Sequence, residues 1–371
     1  MRHKMIIQVI LLSLSMSILA GCKEKAINPE DDIPLFKDFI EKNIDKVADD
    51  SYISSTVRPE NEMYDVLLDL QRGTPWSKEE EDRFNRLIEK GNADATILYS
   101  RLTLNDIEEK SVAVSRLAKL MSDGNPYAAY WLSNRSYRCR AHLGSSSLSN
   151  KVAKDLGLDT SYENKYCTEE IYQKAVEGFK KLAAQGDLRA QYFLLKDQGL
   201  DKSIEKREEY IKEVIRFAEA HYYKPLMDYT STLMEPSHRG RKFRSKELEK
   251  LGVKLFNIAS NNYYIPAMAE STVYEADNNQ LFERMKRSGD RYYFLATALD
   301  RSNELSGEEK YCHALLYEKT FKSKRYFGFD DEWPEKDDYD ESVCNIGKEI
   351  AEMKPMIYID FFTRIDNWGQ G

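Results

Sequence analysis

Six sharp corners constrain this chain more than any other feature of it. In Leu182-Ala183-Ala184-Gln185-Gly186-Asp187-Leu188-Arg189-Ala190 a glycine stands between two runs of helix-favouring residues. Glycine adopts the left-handed conformation needed just past a helix C-terminus, and the aspartate after it caps the next helix by accepting from its free N–H groups. The same grammar recurs at Gly91-Asn92-Ala93-Asp94-Ala95, at Gly124-Asn125-Pro126-Tyr127-Ala128 and, more loosely, at Gly289-Asp290-Arg291-Tyr292-Tyr293. Two further copies, His221-Tyr222-Tyr223-Lys224-Pro225 and Asn262-Tyr263-Tyr264-Ile265-Pro266, replace the glycine with residues that tolerate positive φ. Each then sets a proline in the first helical turn, where its missing N–H had no partner. Gly91, Gly124, Gly186, His221, Asn262 and Gly289 are therefore read as repeat-turn residues.

Their spacings are 33, 62, 35, 41 and 27 residues, and a period of about 35 is the signature of stacked helical hairpins, with the longest interval holding an expanded unit. Apolar residues before a Gly-Asn/Asp-x-x-Ala turn, followed by an aromatic and a leucine, resemble the Sel-one-like repeats, relatives of the tetratricopeptide repeats. The resemblance covers residues 78–300 and lacks the glycine-valine loop usual between hairpins of that family. It implies an all-α fold, a right-handed superhelical solenoid of stacked hairpins over residues 77–300, and a protein-binding rather than catalytic role.

The chain opens with Arg2 and Lys4 and a short apolar run from Met5 to Leu12, the form of a secretory signal and too short for a spanning helix. Leu19-Ala20-Gly21-Cys22 resembles the bacterial lipobox, which implies cleavage after residue 21 and a lipid on Cys22. Lys23, where an aspartate would retain the protein, resembles lipoproteins sent on to the outer membrane, so the expected location is the periplasmic side of the envelope. Removing residues 1–21 takes away Arg2 and Lys4 and no acid, so the net charge of −8 becomes −10; nucleic acid, which needs a concentrated positive field, is excluded as a partner.

Residues 22–32 read as a lipidated tether and 33–76 as N-terminal capping helices. Leu35, Phe36, Phe39, Ile40 and Ile44 fall on one helical face, as do Met63, Val66, Leu67 and Leu70. These helices are expected to cover the first end of the stack. Residues 301–371 read as a C-terminal helical cap or accessory module with an acidic loop, Asp330 to Glu341, and an aromatic tail that includes Phe361, Phe362 and Trp368.

Cys139, Cys167, Cys312 and Cys344 remain once Cys22 is set aside. An even number exported to an oxidising compartment suggests two disulfides. Of three connectivities, Cys139–Cys167 with Cys312–Cys344 closes two loops of similar size; metal ligation is the rival, without C-x-x-C spacing or a histidine pair to support it. No nucleophile elbow, H-E-x-x-H, P-loop or dinucleotide fingerprint is present. His142 near Ser145 invites a hydrolase reading and His313 adjoins Cys312, but a serine-rich loop and a packed histidine account for them. No catalytic residue, cofactor or metal is assigned.

Tyr127, Tyr223, Tyr264 and Tyr293 occupy equivalent places just after the corners, where a tyrosine either fills the gap between repeats or offers a rigid ring and hydroxyl to a partner. Arg241, Lys242 and Arg244 belong to a basic run from Arg239 to Lys246 that reads as a connector, with an electrostatic contact to an acidic partner or anionic lipid as its functional alternative. Lipoproteins with Sel-one-like repeats are similar to immunity proteins that neutralise phospholipases delivered by type VI secretion. That is the expected function; an envelope scaffold or assembly factor binding a resident periplasmic protein is the alternative.

Overall fold

One pair of backbone hydrogen bonds closes five of the corners in the same way. The N–H groups of Gly91, Gly124, Gly186, His221 and Tyr263 each donate to the carbonyl three residues back. The next N–H in each case donates five residues back, to Leu87, Leu120, Leu182, Phe217 and Ala259. This is the Schellman closure, which requires positive φ at its pivot; the five pivots have φ of 82°, 87°, 94°, 58° and 59°. Gly289, at φ 57°, donates to Lys286. Asn92, Asn125 and Asp187 then cap the following helices by accepting from Ala95, Ala128 and Ala190.

The fifth pivot is Tyr263, which corrects the assignment to Asn262. Asn262 has φ −104°. Its side-chain amide donates to the Ile258 carbonyl at 2.8 Å and its own carbonyl accepts from Ser54 Oγ at 2.7 Å. With Asn262 held in the last helical turn, the positive φ falls on the next residue.

The computed structural model describes residues 27–74, 77–144, 147–238, 240–275, 278–300, 304–322 and 339–359. The signal segment, Cys22, Ser145, Arg239, residues 330–338 and the tail with Phe361, Phe362 and Trp368 lie outside them. The described chain is all-α apart from one short hairpin. A 3-10 helix, Pro29–Phe36, runs into α1 (Lys37–Asn43). There follow α2 (Tyr64–Arg72), α3 (Lys78–Glu89), α4 (Ala93–Thr103), α5 (Lys110–Ser122), α6 (Pro126–Trp131), α7 (Tyr137–Leu143), α8 (Leu148–Asp155), α9 (Glu169–Ala184) and α10 (Leu188–Asp197). The second half holds α11 (Arg207–Glu219), α12 (Lys224–Thr232), β1 (Met234–Ser237), β2 (Gly240–Phe243), α13 (Lys246–Asn261), α14 (Ile265–Thr272), α15 (Asn279–Ser288), α16 (Arg291–Asp300), α17 (Gly307–Phe321) and α18 (Ile346–Glu352).

From α2 to α6 each helix packs on the next in sequence, and the order resumes at α9 because α6 packs directly on it. Helices α7 and α8 contact each other instead. They are the insertion that stretches one interval to 62 residues.

Two large apolar clusters form most of the core, and a third, smaller one gathers Phe294, Leu316, Tyr317 and Phe321. The first runs from Met63 through Phe84, Leu98, Leu117 and Phe179 to Ala190; the second gathers Phe36, Phe39, Ile211, Phe217, Tyr229, Leu255 and Met285. Residues 353–359 join them. Ile357 and Ile359 are buried in the first cluster, Met356 in the second, and Tyr358 packs against both. This extended segment is held along its length: Thr56 donates its N–H to the Ile357 carbonyl at 2.7 Å, Gln71 Nε2 donates to the Met356 carbonyl at 2.9 Å, and the Tyr358 N–H donates to Gln71 Oε1 at 2.9 Å.

The helices of residues 33–76 divide between the two halves. Helix α2 packs on α3 at the first end, whereas the 3-10 helix and α1 pack on α11 and α13 in the second half. Phe36 and Phe39 bury there, and Asp32 meets Arg207 at 2.6 Å. The last described segment likewise does more than cap, since α18 leads it back between the two clusters.

Both disulfides have the expected pairing, with sulfur–sulfur distances of 2.09 Å for Cys139–Cys167 and 1.99 Å for Cys312–Cys344. The first closes a separation of 28 residues around the α7–α8 insertion. Replacing Cys139 and Cys167 together by serine should lower the unfolding free energy by about 3–4 kcal/mol, the chain-entropy value for a loop of that size, as read from urea unfolding.

Candidate protein-binding interface

The tyrosines after the corners turn inward. Tyr127 is buried, its ring edge-on to Phe179 at 5.0 Å with the Arg189 guanidinium over it. Tyr223 is 2% and Tyr264 5% exposed, with their ring centroids 5.6 Å apart, and Tyr264 stands 6.4 Å from Tyr358. Chain from outside the repeats covers this corner: Ser54 bonds Asn262, and the Ala48 N–H donates to the Asn261 carbonyl at 3.0 Å. Of the two roles open to Tyr223 and Tyr264, burial leaves the packing one and corrects their choice as contact residues. A tyrosine after the pivot fills the wedge between successive helices, where its ring buries area that alanine would leave empty. Tyr293 is half-buried against His313, 5.2 Å between rings.

The basic run is not a plain connector but a folded hairpin. Strands β1 and β2 pair antiparallel, with Met234 opposite Phe243, Glu235 opposite Lys242 and Pro236 opposite Arg241. Met234 and Phe243 bury the base. The Phe243 ring lies so close over Gly252 of α13 that a Cβ there would sit 2.3 Å from it, which docks the hairpin on the longest helix of the second half. Gly252→Ala should push Phe243 out and cost about 1–3 kcal/mol in a thermal or urea melt.

Arg241, Lys242 and Arg244 are exposed on this hairpin. Arg241 Nη1 donates to Ser231 Oγ at 3.1 Å, Arg244 Nε donates to the Met234 carbonyl at 3.4 Å, and Lys242 pairs with Glu235 at 3.2 Å. Two guanidiniums held at a fixed spacing by backbone contacts lose little freedom when they meet carboxylates, so this is the one group of predicted contact residues that the fold both displays and orders.

The described residues contain no cluster of three or more histidine, cysteine or acidic side chains placed to hold a metal ion. His221 is a corner residue and His142 is partly buried, its pKa lowered by burial and by the nearby Lys110 and Arg138 charges. A cavity of about 450 Å³ beside the Cys312–Cys344 disulfide is lined by Glu283, Lys286, Tyr293, His313 and Glu349. Lys286 and Glu349 pair across it at 2.7 Å.

Burial, aided by the Lys286 charge, pushes His313 down to about 4 against the opposing pull of the Phe294 carbonyl. The folded protein then holds this ring neutral while the unfolded chain protonates it, so the stability it lends is present above about pH 6.5 and is lost as pH falls toward 4, about 3 kcal/mol in all. Asp290, pushed up to about 6 by burial beside Arg72, acts with the opposite sign between its ordinary 3.8 and 6. His313→Gln should therefore remove the His313 loss, so that on acidification from pH 6.5 to 4.5 the variant gains stability relative to the parent protein, measured as urea midpoints.

No family model, curated protein or solved structure matches the chain.

Sequence reasoning missed two arrangements. The Asp32–Arg207–Tyr229 group joins residues 175 and 197 positions apart. Lys110, buried at the start of α5, donates to Asn150 Oδ1 at 3.3 Å and so ties the insertion to the repeats. A lysine at a helix start and an aspartate in a tether look like solvated charges in a sequence; nothing local distinguishes them.

Proposed function

We propose that this chain is a lipid-anchored, periplasm-facing protein-binding solenoid that neutralises a cognate phospholipase effector of type VI secretion. In this reading the helices linked by the recurring corner wind into a right-handed superhelix, with residues 48–63 and 353–359 closing its contact surface from within. The partner then meets the outside, at the hairpin bearing Arg241, Lys242 and Arg244. The observation that carries the reading is this ordered basic hairpin, displayed on an all-helical chain whose corners repeat one geometry. Two disulfides suit an oxidising compartment, no described helix is long and apolar enough to cross a membrane, and the lipid on Cys22 comes from the resemblance of Leu19-Ala20-Gly21-Cys22 to the lipobox. The phospholipase itself comes from the resemblance to immunity lipoproteins.

The test is growth of cells expressing a candidate periplasm-targeted phospholipase, with and without this protein. Rescue is expected from the parent chain. The triple variant R241E/K242E/R244E should lose rescue and at least about tenfold in affinity while its melting temperature stays within about 2 °C, because exposed charges contribute little to folding. Rescue undiminished in the triple variant would remove the hairpin from the interface. Capture of only resident envelope proteins, with no rescue by any phospholipase tested, would favour the scaffold alternative.

A further inference from the structure

The 3-10 helix and α1 leave a groove of about 310 Å³ between themselves and α13. Its floor is apolar, made by Ile33, Ile40 and Leu251, and Lys37, Lys250 and Lys254 stand at its rim. Glu41 and Glu247 also border it, but Glu41 lies 3.9 Å from Lys37 and is spoken for by it. Lys246, Lys250 and Lys254 are exposed, recur every fourth residue along one stripe of α13, and form no ion pair among the described residues. On a chain of net charge −8 this is a local excess of cations beside apolar surface. Leu35 and Val47, which flank the same segment, are 36% and 52% exposed.

Position says what this face meets. Four residues lie between Cys22 and Ile27, the first described residue, and the five steps from one to the other, at no more than about 3.6 Å each, span less than about 20 Å. A lipid on Cys22 therefore keeps the 3-10 helix, and the groove it borders, close to the bilayer surface. Anionic head groups attract lysines within about a Debye length, and aliphatic side chains beside them favour the interfacial methylenes.

We propose that this groove docks the protein onto its own membrane by taking an anionic phospholipid, with the lipid phosphate against Lys250 and Lys254 and its glycerol-proximal methylenes over Ile33, Ile40 and Leu251. The proposal rests on the lipid-anchor reading of Cys22. It gives the tethered protein one orientation, with the Lys246–Lys254 stripe toward the bilayer.

The experiment uses the full chain purified from membranes and reconstituted in vesicles of phosphatidylethanolamine with either phosphatidylglycerol or phosphatidylcholine. The mass of the Cys22 peptide is read first, and lysine acetylation rates are then compared between the two membranes. Lys250 and Lys254 should label at least about fivefold more slowly with phosphatidylglycerol, Lys174 on α9 should not change, and high salt should abolish the difference. A lipidated Cys22 with equal labelling in both membranes would overturn the groove assignment and leave the anchor standing. An unmodified Cys22 would overturn the anchor and the docking proposal with it. Protection that appears only on adding a soluble periplasmic extract, whatever the membrane, would assign the groove to an acidic protein instead.

Discussion

Replacing Ile357 with aspartate should abolish cooperative unfolding of the native chain. Ile357 is fully buried in the first core cluster, and its neighbours Met356 and Ile359 are buried as well. Losing one such side chain to solvent costs about 1.5–3 kcal/mol, and a carboxylate in its place adds the cost of an unpaired buried charge. The total, about 5 kcal/mol or more, is comparable with the whole stability of a typical domain. Met356 lies in one cluster and Ile357 in the other, so expelling the segment would remove one of the links between the two halves and leave α10, whose Ala190 and Tyr192 fall in different clusters, as another. Calorimetry should show a broad or split transition in place of a single one. Gln71→Ala, which removes two hydrogen bonds to the same segment but no apolar contact, should cost about 1–3 kcal/mol and keep one transition.

The second large effect is expected at Asp32. Its carboxylate accepts from Arg207 Nε at 3.0 Å and Nη2 at 2.6 Å and from the Tyr229 hydroxyl at 3.2 Å, while itself only 1% exposed. Asp32→Ala leaves the guanidinium in a site ringed by Tyr210 and Tyr229 with the Asp201 carbonyl as its remaining polar neighbour at 3.4 Å. Breaking a buried pair from one side costs about 3–5 kcal/mol, whereas exchanging both members for apolar residues of similar size costs far less. Urea unfolding of Asp32→Ala, Arg207→Met and the double variant should therefore give a double variant more stable than the first single one. Additive losses would mean that the two residues act independently. Because Asp32 belongs to the N-terminal segment and Arg207 to α11, the same experiment measures how firmly that segment is fastened to the second half.

What could be read from the sequence is what depends on near neighbours. The corners were legible because a Schellman closure needs a left-handed residue and a capping side chain within a few positions, and Gly186-Asp187 supplies both. Asn262 misled because a backbone pivot can move by one residue when a distant group, here Ser54, holds the asparagine. Cysteine pairing was legible from separation alone. The hairpin was not: Pro236 and a dense run of charge read as a connector, and only the burial of Phe243 against Gly252 makes them strands. The inward turn of Tyr223 and Tyr264 was also hidden, since the chain that covers them comes from residues 48–54 and 358. Thr56 and Ile357 are 301 positions apart, and no periodicity announces such a partner.

In the proposed reading residues 48–63 and 353–359 fill the face between the corners, and a partner is met outside. Amide hydrogen exchange at Thr56, Ile357 and Tyr358 tests this most directly, because their N–H groups donate to the Ile357 carbonyl, Ser55 Oγ and Gln71 Oε1. Exchange as slow as that of the core of α9 is expected, unchanged when a neutralised phospholipase is added. Exchange at the rate of an open chain, or protection that appears only with the partner bound, would contradict this reading.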